Sequence, residues 1–324
     1  MIGKVIRAAV IPLLIMIVLT GCENNAVKEE VPVRHSYSFN EAHTSRGGLD
    51  IYGKIYTPTD ADGPFPAVIL SHSANLNADS MASYAAGFAS RGFVAYAFDF
   101  CGACEQSRSE GSTDDMTIFT EVEDLLAVID YVSSLEMVDS ERIYLFGTSQ
   151  GGLVTALAAE KCKDRIKGEI LLYPAFNIPD LVRMFSGSSQ NFNISDLMDM
   201  FSGLTVTGSF QNFDVSELME MFSGSGGITG LFGKGYSQVF SDSLMYYDAY
   251  EHIGAFKGKV LLIRGSADFI VSDEVCRKAA ARYSDCTLKT IEGAGHGFNR
   301  ENYSMNGDFD GEVWTYIDEY LKSM

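Results

Sequence analysis

The segment that most constrains this chain is a serine between glycines at residues 147–152, which read Gly-Thr-Ser-Gln-Gly-Gly. The β-branched and aromatic residues 142–146 before it predict a strand, and the Ala-rich residues 153–160 after it predict a helix. A strand that turns directly into a helix strains the backbone of the serine between them, and small glycines keep neighbouring side chains clear. We therefore expect the Ser149 hydroxyl to be exposed at a helix N-terminus, where the helix dipole favours developing negative charge.

Predicted strands and helices alternate along most of the chain from about residue 35. Such alternation is typical of a mostly parallel sheet with helices on both faces, so the sequence predicts an α/β fold. The helix predicted over 117–134 has a clear apolar face, and Gly92 ends the helix predicted over 80–91. The predicted strands are 37–40, 49–56, 67–71, 93–98, 142–146, 168–173, 259–264 and 287–291, and the later predicted helices are 272–283 and 312–321.

Residues 176–245 interrupt this alternation and contain a repeat. Residues 190–203 and 211–224 are closely similar, and each copy predicts a short Leu-, Met- and Phe-rich helix that begins after serine and ends at glycine. We interpret this insertion as a lid over the carboxyl edge of the sheet that contacts an apolar part of a substrate. The alternative is ordinary packing against the body of the protein. The candidate substrate contacts in the lid are Met200, Phe201, Met221 and Phe222.

The N-terminus has the features of an export signal. Lys4 and Arg7 precede an apolar stretch over residues 8–19, which is the arrangement of a secretory signal peptide. The following Leu-Thr-Gly-Cys resembles a bacterial lipobox, so we expect cleavage before Cys22 and lipidation of its thiol. The alternative is an uncleaved anchor helix, but the stretch is short for a membrane span and is interrupted by Pro12.

Net charge limits the partners that this chain can bind. The formal net charge is −19, whereas nucleic-acid binding requires a basic face and anionic lipid attracts basic segments. We therefore expect no nucleic-acid partner, and membrane attachment through the N-terminal lipid at the cell surface or on the periplasmic side. The expected organisation is a signal peptide at 1–21, a tether at 22–34 and a folded domain at 35–324 that includes the lid insertion at about 176–245.

Five cysteines remain after lipidation of the first. Cys101 and Cys104 form a C-x-x-C pair, and Cys276 and Cys286 flank a predicted helix. No second pair of Cys or His lies at the spacing of a zinc site. We expect a local disulfide or buried thiols rather than a redox or metal role, and no metal or organic cofactor.

A serine hydroxyl becomes a nucleophile when a histidine accepts its proton and a carboxylate orients that histidine. Asp268 and His296 each follow a predicted strand, and the histidine lies in a glycine-rich loop that can reach Ser149. Of the five histidines, only this one combines such a position with neighbouring glycines. His35 and His43 lie in the N-terminal segment, and His252 lies in a predicted helix. Asp273 is close enough in sequence to compete as the acid, but Asp268 has the better position at the strand end.

An oxyanion hole requires two N–H groups directed at the reacting carbonyl oxygen. We expect one from Gln150, directly after the serine, and the other from Ala74, in the loop after the strand predicted over 67–71. His72 lies in the same loop. We expect it to brace this loop rather than to act as the catalytic base, and we include it among the candidate substrate contacts.

With these residues in view, residues 35–324 resemble the α/β-hydrolase superfamily. Within it, the chain is similar to the cinnamoyl and feruloyl esterase-like and serine aminopeptidase-like group. The resemblance implies the order serine, acid, histidine along the chain and a lid in the inserted region. One departure is that the family usually has His-Gly where this chain has His72-Ser73, which bears on the second oxyanion donor. The resemblance is carried by residues 96–102 with 109–111, 147–152 with 171–175, and 293–298.

Together these features predict a serine hydrolase that cleaves carboxylic esters through an acyl-enzyme intermediate. Ser149 would be the nucleophile, His296 the general base and then acid, and Asp268 the orienting carboxylate. The resemblance implies aromatic-acyl or acetyl esters of carbohydrate as substrates. One alternative is a serine aminopeptidase or dipeptidyl-peptidase-like hydrolase of short peptides. Another is a surface-binding lipoprotein that is catalytically inert.

Overall fold

The computed structural model describes residues 34–185, 237–268, 270–299 and 309–324. A single eight-stranded sheet forms the centre of this part of the chain. In chain order its strands are β1 (Tyr37–Arg46), β2 (Leu49–Pro58), β3 (Phe65–Ser71), β4 (Val94–Phe98), β5 (Val138–Thr148), β6 (Gly168–Leu172), β7 (Lys259–Gly265) and β8 (Cys286–Ile291). Their spatial order is β1-β2-β4-β3-β5-β6-β7-β8.

One strand, β2, runs against all the others in the sheet. β1 pairs with β2 through a hairpin whose turn is Gly47 and Gly48, both with positive φ (58° and 91°), as a tight hairpin turn of this length requires. β2 is antiparallel to β4, and all pairings from β4 to β8 are parallel. The α/β architecture with a mostly parallel sheet is therefore confirmed. Parallel strands of this kind bring the loops at their carboxyl ends together at one edge.

Helices cover both faces of the sheet, as the alternating pattern predicts. One apolar cluster joins the sheet to α2, α3 and α6, and a second joins the other face to α1 and α7. Burial of both faces accounts for the nearly continuous apolar runs in the central strands. The described helices are α1 (Ala82–Ala89), α2 (Ile118–Ser133), α3 (Gln150–Lys161), α4 (Ile178–Phe185), α5 (Gln238–Leu244), α6 (Asp273–Ala280) and α7 (Asp310–Lys322).

We call the tight turn at residues 147–152 the elbow and the helix that follows it, α3, the elbow helix. Helix α2 lies directly beside this elbow helix. Its start is fixed by Thr117, whose hydroxyl accepts a hydrogen bond from the backbone N–H of Thr120 at 3.0 Å while the Thr120 hydroxyl bonds back to the cap. The prediction of a helix over 117–134 is confirmed to within one residue at each end. Two carboxylates, Glu121 and Asp124, lie among the apolar residues of its buried face.

Several predicted boundaries were wrong. The first strand continues to Arg46 rather than ending at residue 40, because its mostly exposed residues are held by pairing with β2 rather than by an apolar pattern. The elbow helix begins at Gln150, three residues before the predicted start. His252, expected in a helix, lies between two single-turn 3₁₀ helices, Ala249–Glu251 and Ile253–Ala255.

The structure describes only the two ends of the predicted lid insertion. α4 and α5 pack against each other, and α5 also contacts α2. Both copies of the repeat, and with them Met200, Phe201, Met221 and Phe222, lie outside the described residues. The same holds for the predicted signal peptide, Cys22 and most of the tether.

The five cysteines within the described ranges are all free thiols. Cys101 and Cys104 form no disulfide, so the predicted local disulfide is absent there; Cys101 is a buried thiol, whereas Cys104 is partly exposed. Burial raises the pKa of Cys101 to about 12. Among the helices of these ranges, none has both the length and the apolar character needed to cross a membrane.

Candidate active site

The turn between β5 and α3 holds Ser149 in the strained backbone that the sequence predicts. Ser149 has φ 49° and ψ −118°, a region that residues with a side chain rarely adopt. Its backbone N–H donates to the carbonyl of Leu172 on the neighbouring strand β6 at 3.0 Å. Its carbonyl accepts from the N–H groups of Gly152 and Ala175 at 3.0 and 2.9 Å. These bonds on both sides hold the conformation in place.

Two glycines of the elbow are required by close packing. A Cβ atom on Gly147 would overlap the carbonyl of Gly151 and the hydroxyl of Thr155. A Cβ atom on Gly151 would overlap the backbone carbonyls of Ser71 and His72, in the loop where the second oxyanion donor is expected. The Gly-x-Ser-x-Gly spacing therefore brings this loop and the serine turn into direct contact.

The structure brings Ser149, His296 and Asp268 together in one series of hydrogen bonds. The His296 Nε2 atom lies 3.0 Å from the Ser149 Oγ, and its Nδ1 atom lies 2.9 Å from the Asp268 Oδ2. All three residues are buried, and they come from the ends of three different strands. The predicted exposure of Ser149 was therefore wrong, because the residue is only 8% exposed beside His296. A buried carboxylate can only accept, so His296 Nδ1–H donates to Asp268 and the lone pair of Nε2 faces the serine hydroxyl.

The acid is itself oriented by the main chain. The second carboxylate oxygen of Asp268, Oδ1, accepts hydrogen bonds from the backbone N–H groups of Ile270 and Val271, each at 2.9 Å. The competing candidate Asp273 lies in the first turn of α6 and pairs with Arg264 and Arg277 instead. The structure therefore brings Asp268, and not Asp273, to the histidine.

An aromatic ring supports the histidine from the β6 side. Tyr173, the residue after β6, has φ 39°, and its ring meets the His296 ring edge-on with centroids 4.7 Å apart. Phe298 packs against the same tyrosine at 4.9 Å, and it also has positive φ (49°). The glycine-rich character of this loop, which singled out His296 in the sequence, thus accompanies a tightly turned backbone beside the imidazole.

The loop after β3 is braced by two side chains that the sequence singled out. His72 is buried, its Nδ1–H donates to the carbonyl of Ser73 at 2.8 Å, and its Nε2 accepts from the backbone N–H of Phe100 at 3.3 Å. Burial lowers the pKa of His72, which keeps the ring neutral. With both ring nitrogens bonded to the main chain, His72 braces this loop, and its contact with a substrate stays a prediction.

Ser73 occupies the position where the resembling family usually has glycine. Its hydroxyl lies 2.9 Å from the hydroxyl of Thr148, the residue immediately before Ser149. The serine therefore adds a buried hydrogen bond between the β3 loop and the elbow. Ala74, the expected second oxyanion donor, follows it directly in this loop.

Sequence analysis did not predict the ion pair between Asp99 and Arg108 that supports the end of this loop. Asp99, fully buried after β4, accepts from the backbone N–H of Ala78 at 2.7 Å and pairs with the guanidinium of Arg108, with two nitrogens at 3.0 Å. Arg108 also stacks on the Tyr52 ring at 4.0 Å. The available signal was a carboxylate placed directly after an apolar strand.

In the part of the chain that the structure describes, no group of three or more His, Cys, Asp and Glu side chains is arranged to hold a metal ion.

Comparisons with known proteins agree with the fold. A family model described as the alpha/beta hydrolase fold matches residues 66–303. The chain is 34% identical over 139 residues to the uncharacterized protein YcjY of Escherichia coli, which is 42% of this chain and 44% of that protein. The chain thus spans less than half the length of the curated relatives it matches.

Solved structures show the same fold at low sequence identity. The structure of Est1E from Butyrivibrio proteoclasticus with bound ferulic acid is 21% identical, covers 87% of this chain and 98% of that chain, and has a TM-score of 0.63. The enol-lactonase from Burkholderia xenovorans is 18% identical, covers 86% and 100%, and has a TM-score of 0.56. The sheet order, the serine elbow and the match over residues 66–303 lead to one conclusion: the chain belongs to the α/β hydrolase family.

Proposed function

We propose that this protein is a serine hydrolase that cleaves carboxylic esters through an acyl-enzyme intermediate. The observation that carries the proposal is the series Ser149–His296–Asp268, whose two hydrogen bonds of 3.0 and 2.9 Å match the roles of nucleophile, base and orienting acid. Membership of the α/β hydrolase family and the likeness to esterase structures support it.

In the acylation step, the Ser149 Oγ attacks the ester carbonyl carbon while its proton passes to His296 Nε2. The Asp268 carboxylate stabilises the imidazolium that forms and keeps its Nδ1–H directed inward. Collapse of the tetrahedral intermediate breaks the bond to the alcohol oxygen, which takes the proton from Nε2. Water then attacks the acyl-serine with the same histidine as base, and the acid product and free serine are released.

The tetrahedral oxyanion needs donors that the serine itself cannot supply. The Ser149 N–H is already bonded to Leu172, so the donor from the elbow would be the next N–H, that of Gln150 at the start of α3. The proposed second donor is Ala74 in the loop held by Ser73 and His72. Removing one donor of this kind costs about 10²- to 10³-fold in kcat in serine hydrolases.

An ester of an aromatic or short acyl group on carbohydrate is the substrate class that we propose. The support is the resemblance stated from sequence and the ferulic acid bound to Est1E, a protein of the same fold. The proposed lid contacts Met200, Phe201, Met221 and Phe222 would meet the apolar acyl part. No metal or organic cofactor takes part in the proposed reaction.

The test is a substrate panel combined with covalent labelling of the wild-type protein. We expect turnover of p-nitrophenyl acetate, p-nitrophenyl butyrate and methyl ferulate, and weaker or no turnover of aminoacyl p-nitroanilides. A fluorophosphonate probe, which forms a P–O bond to an activated serine and releases fluoride, should modify Ser149 as read by peptide mass spectrometry. Faster turnover of the anilides would favour the peptidase alternative, and an unlabelled Ser149 in folded protein would favour the inert lipoprotein.

The proposal includes export and anchoring to a bacterial membrane by lipid on Cys22. Its support is the basic, apolar and Leu-Thr-Gly-Cys order of residues 4–22. Wild-type protein expressed in a bacterial host should incorporate labelled palmitate and sediment with membranes, whereas Cys22→Ser should do neither. Equal labelling of both proteins would contradict lipidation at this residue.

A further inference from the structure

The first turn of α2 holds a buried carboxylate that the proposed reaction steps do not use. Glu121 is 1% exposed, and both of its carboxylate oxygens contact the side-chain amide nitrogen of Gln150, at 2.9 and 2.8 Å. Gln150 is itself 2% exposed. The two residues are 29 positions apart in sequence, and their contact links α2 to the first residue of α3.

The position of Gln150 gives this contact its significance. Gln150 follows Ser149 directly, so its backbone N–H is the elbow donor proposed for the oxyanion, while its side chain points away to α2. Ser149 has φ 49° and ψ −118°, and such a strained backbone is stable only where contacts on both sides hold it in place. On one side of Ser149, the Thr148 hydroxyl lies 2.9 Å from that of Ser73. On the other side, Gln150 is held by Glu121.

Placing a carboxylate at this site is costly. Burial raises the pKa of Glu121 to about 8, the hydrogen bond from Gln150 lowers it, and the charge of Asp124 raises it again. An apolar side chain would fill the same space between two helices without this desolvation cost. The amide nitrogen of Gln150, by contrast, lies within hydrogen-bond distance of both side-chain oxygens of Glu121, so this carboxyl group supplies an acceptor that an apolar side chain would not.

We propose that Glu121 is a positioning residue that acts through Gln150. By fixing the Gln150 side chain against α2, it holds the backbone N–H of Gln150 in the orientation that meets the oxyanion. This inference rests on the proposed function, because it assigns Glu121 a part in the same ester hydrolysis. It concerns the transition state, so it predicts a loss in kcat with little change in KM.

The test uses Glu121→Leu, which fills the site but removes the acceptors, and Glu121→Gln, which keeps one carbonyl acceptor for the Gln150 amide. With p-nitrophenyl butyrate, we expect Glu121→Leu to lower kcat by about 10- to 100-fold, less than complete loss of an oxyanion donor, with KM nearly unchanged. Glu121→Gln should keep most of the wild-type kcat, because its carbonyl oxygen still accepts from the Gln150 amide. The matched control is Glu123→Leu, an exposed carboxylate on the same helix, which should leave kcat unchanged.

Gln150→Leu removes the other partner while leaving the backbone N–H in place. If the two side chains act as one unit, the double variant Glu121→Leu/Gln150→Leu should lose no more than the worse single variant. Circular dichroism and the urea midpoint identify folded variants. Should Glu121→Leu not fold, Gln150→Leu decides the question, and an unchanged kcat in it overturns the inference.

The outcomes separate this inference from the proposed function. Wild-type protein that neither turns over esters nor accepts the fluorophosphonate at Ser149 overturns both. Active wild-type protein together with unchanged kcat in folded Glu121→Leu overturns the role of Glu121 alone. The role of Glu121 is also overturned if Glu121→Gln loses as much kcat as Glu121→Leu. It is overturned as well if the loss in Glu121→Leu appears in KM rather than in kcat.

Discussion

Replacing Ser149 by alanine is expected to lower kcat for p-nitrophenyl esters by about 10⁶-fold, the loss typical when a triad nucleophile is removed. The Ser149 Oγ is the atom that lies 3.0 Å from His296 Nε2 and would form the acyl bond. Without it, no acyl bond to the enzyme can form, and hydrolysis depends on direct attack by water on the ester. Binding of substrate does not require the hydroxyl, so KM should change little. The measurement is the initial rate with p-nitrophenyl acetate, together with loss of fluorophosphonate labelling.

Alanine is preferred to glycine for this test because a Cβ atom keeps the backbone restraint at φ 49° unchanged, whereas glycine would relax it. The control is Ser133→Ala at the end of α2, whose hydroxyl donates to the backbone carbonyl of Ile129 and lies 3.5 Å from Arg165. That variant should retain wild-type kcat. Ester turnover by Ser149→Ala above about one per cent of wild type would mean that another group carries the reaction, since the residual rate of triad variants is far smaller.

Local features of the sequence predicted most of the fold. All eight strands were predicted, and helix α2 was correct to within a residue, because its Thr117 cap and its apolar face are contained in the segment itself. The elbow was predictable for the same reason, since glycine spacing, strand and helix occur within about twenty residues. The order of strands in space was not predicted. It depends on pairings between distant segments such as β3 with β5.

The structure brings the three predicted catalytic residues together, whereas the contacts that support them were not predicted from the sequence. Ser149, Asp268 and His296 each carry a positional signal, since each follows a strand at the same sheet edge. The Asp99–Arg108 pair and the Glu121–Gln150 contact join residues from separate elements, so no short motif contains them. A signal for Glu121 did exist. It lies on the apolar face of α2, where a carboxylate needs a buried partner.

The second large effect is expected from Asp268→Asn, which should lower kcat by about 10⁴-fold while the protein stays folded. The substitution changes one oxygen to NH₂ and leaves shape and volume unchanged. Its effect therefore depends on which of the two positions the amide nitrogen occupies, and the main chain decides this.

Oδ1 of Asp268 accepts from the N–H groups of Ile270 and Val271, and an NH₂ group there would face two donors. The asparagine oxygen must therefore take this position, which places the NH₂ group against His296 Nδ1. The amide then donates to Nδ1, and the ring proton moves to Nε2. An Nε2–H donates toward Ser149 instead of accepting its proton, so general-base catalysis is lost although all three side chains remain in place.

Asp273→Asn is the matched control, because it makes the same change five residues further on, in the other candidate acid. Asp273 pairs with Arg264 and Arg277 and does not contact His296. We expect its kcat to stay within about threefold of wild type, since weakening a partly exposed ion pair costs little. Both variants are compared by kcat with p-nitrophenyl acetate and by the urea midpoint of unfolding. A large loss in Asp273→Asn with near-normal activity in Asp268→Asn would transfer the acid role to Asp273 and show that the 2.9 Å contact to His296 is not used in catalysis.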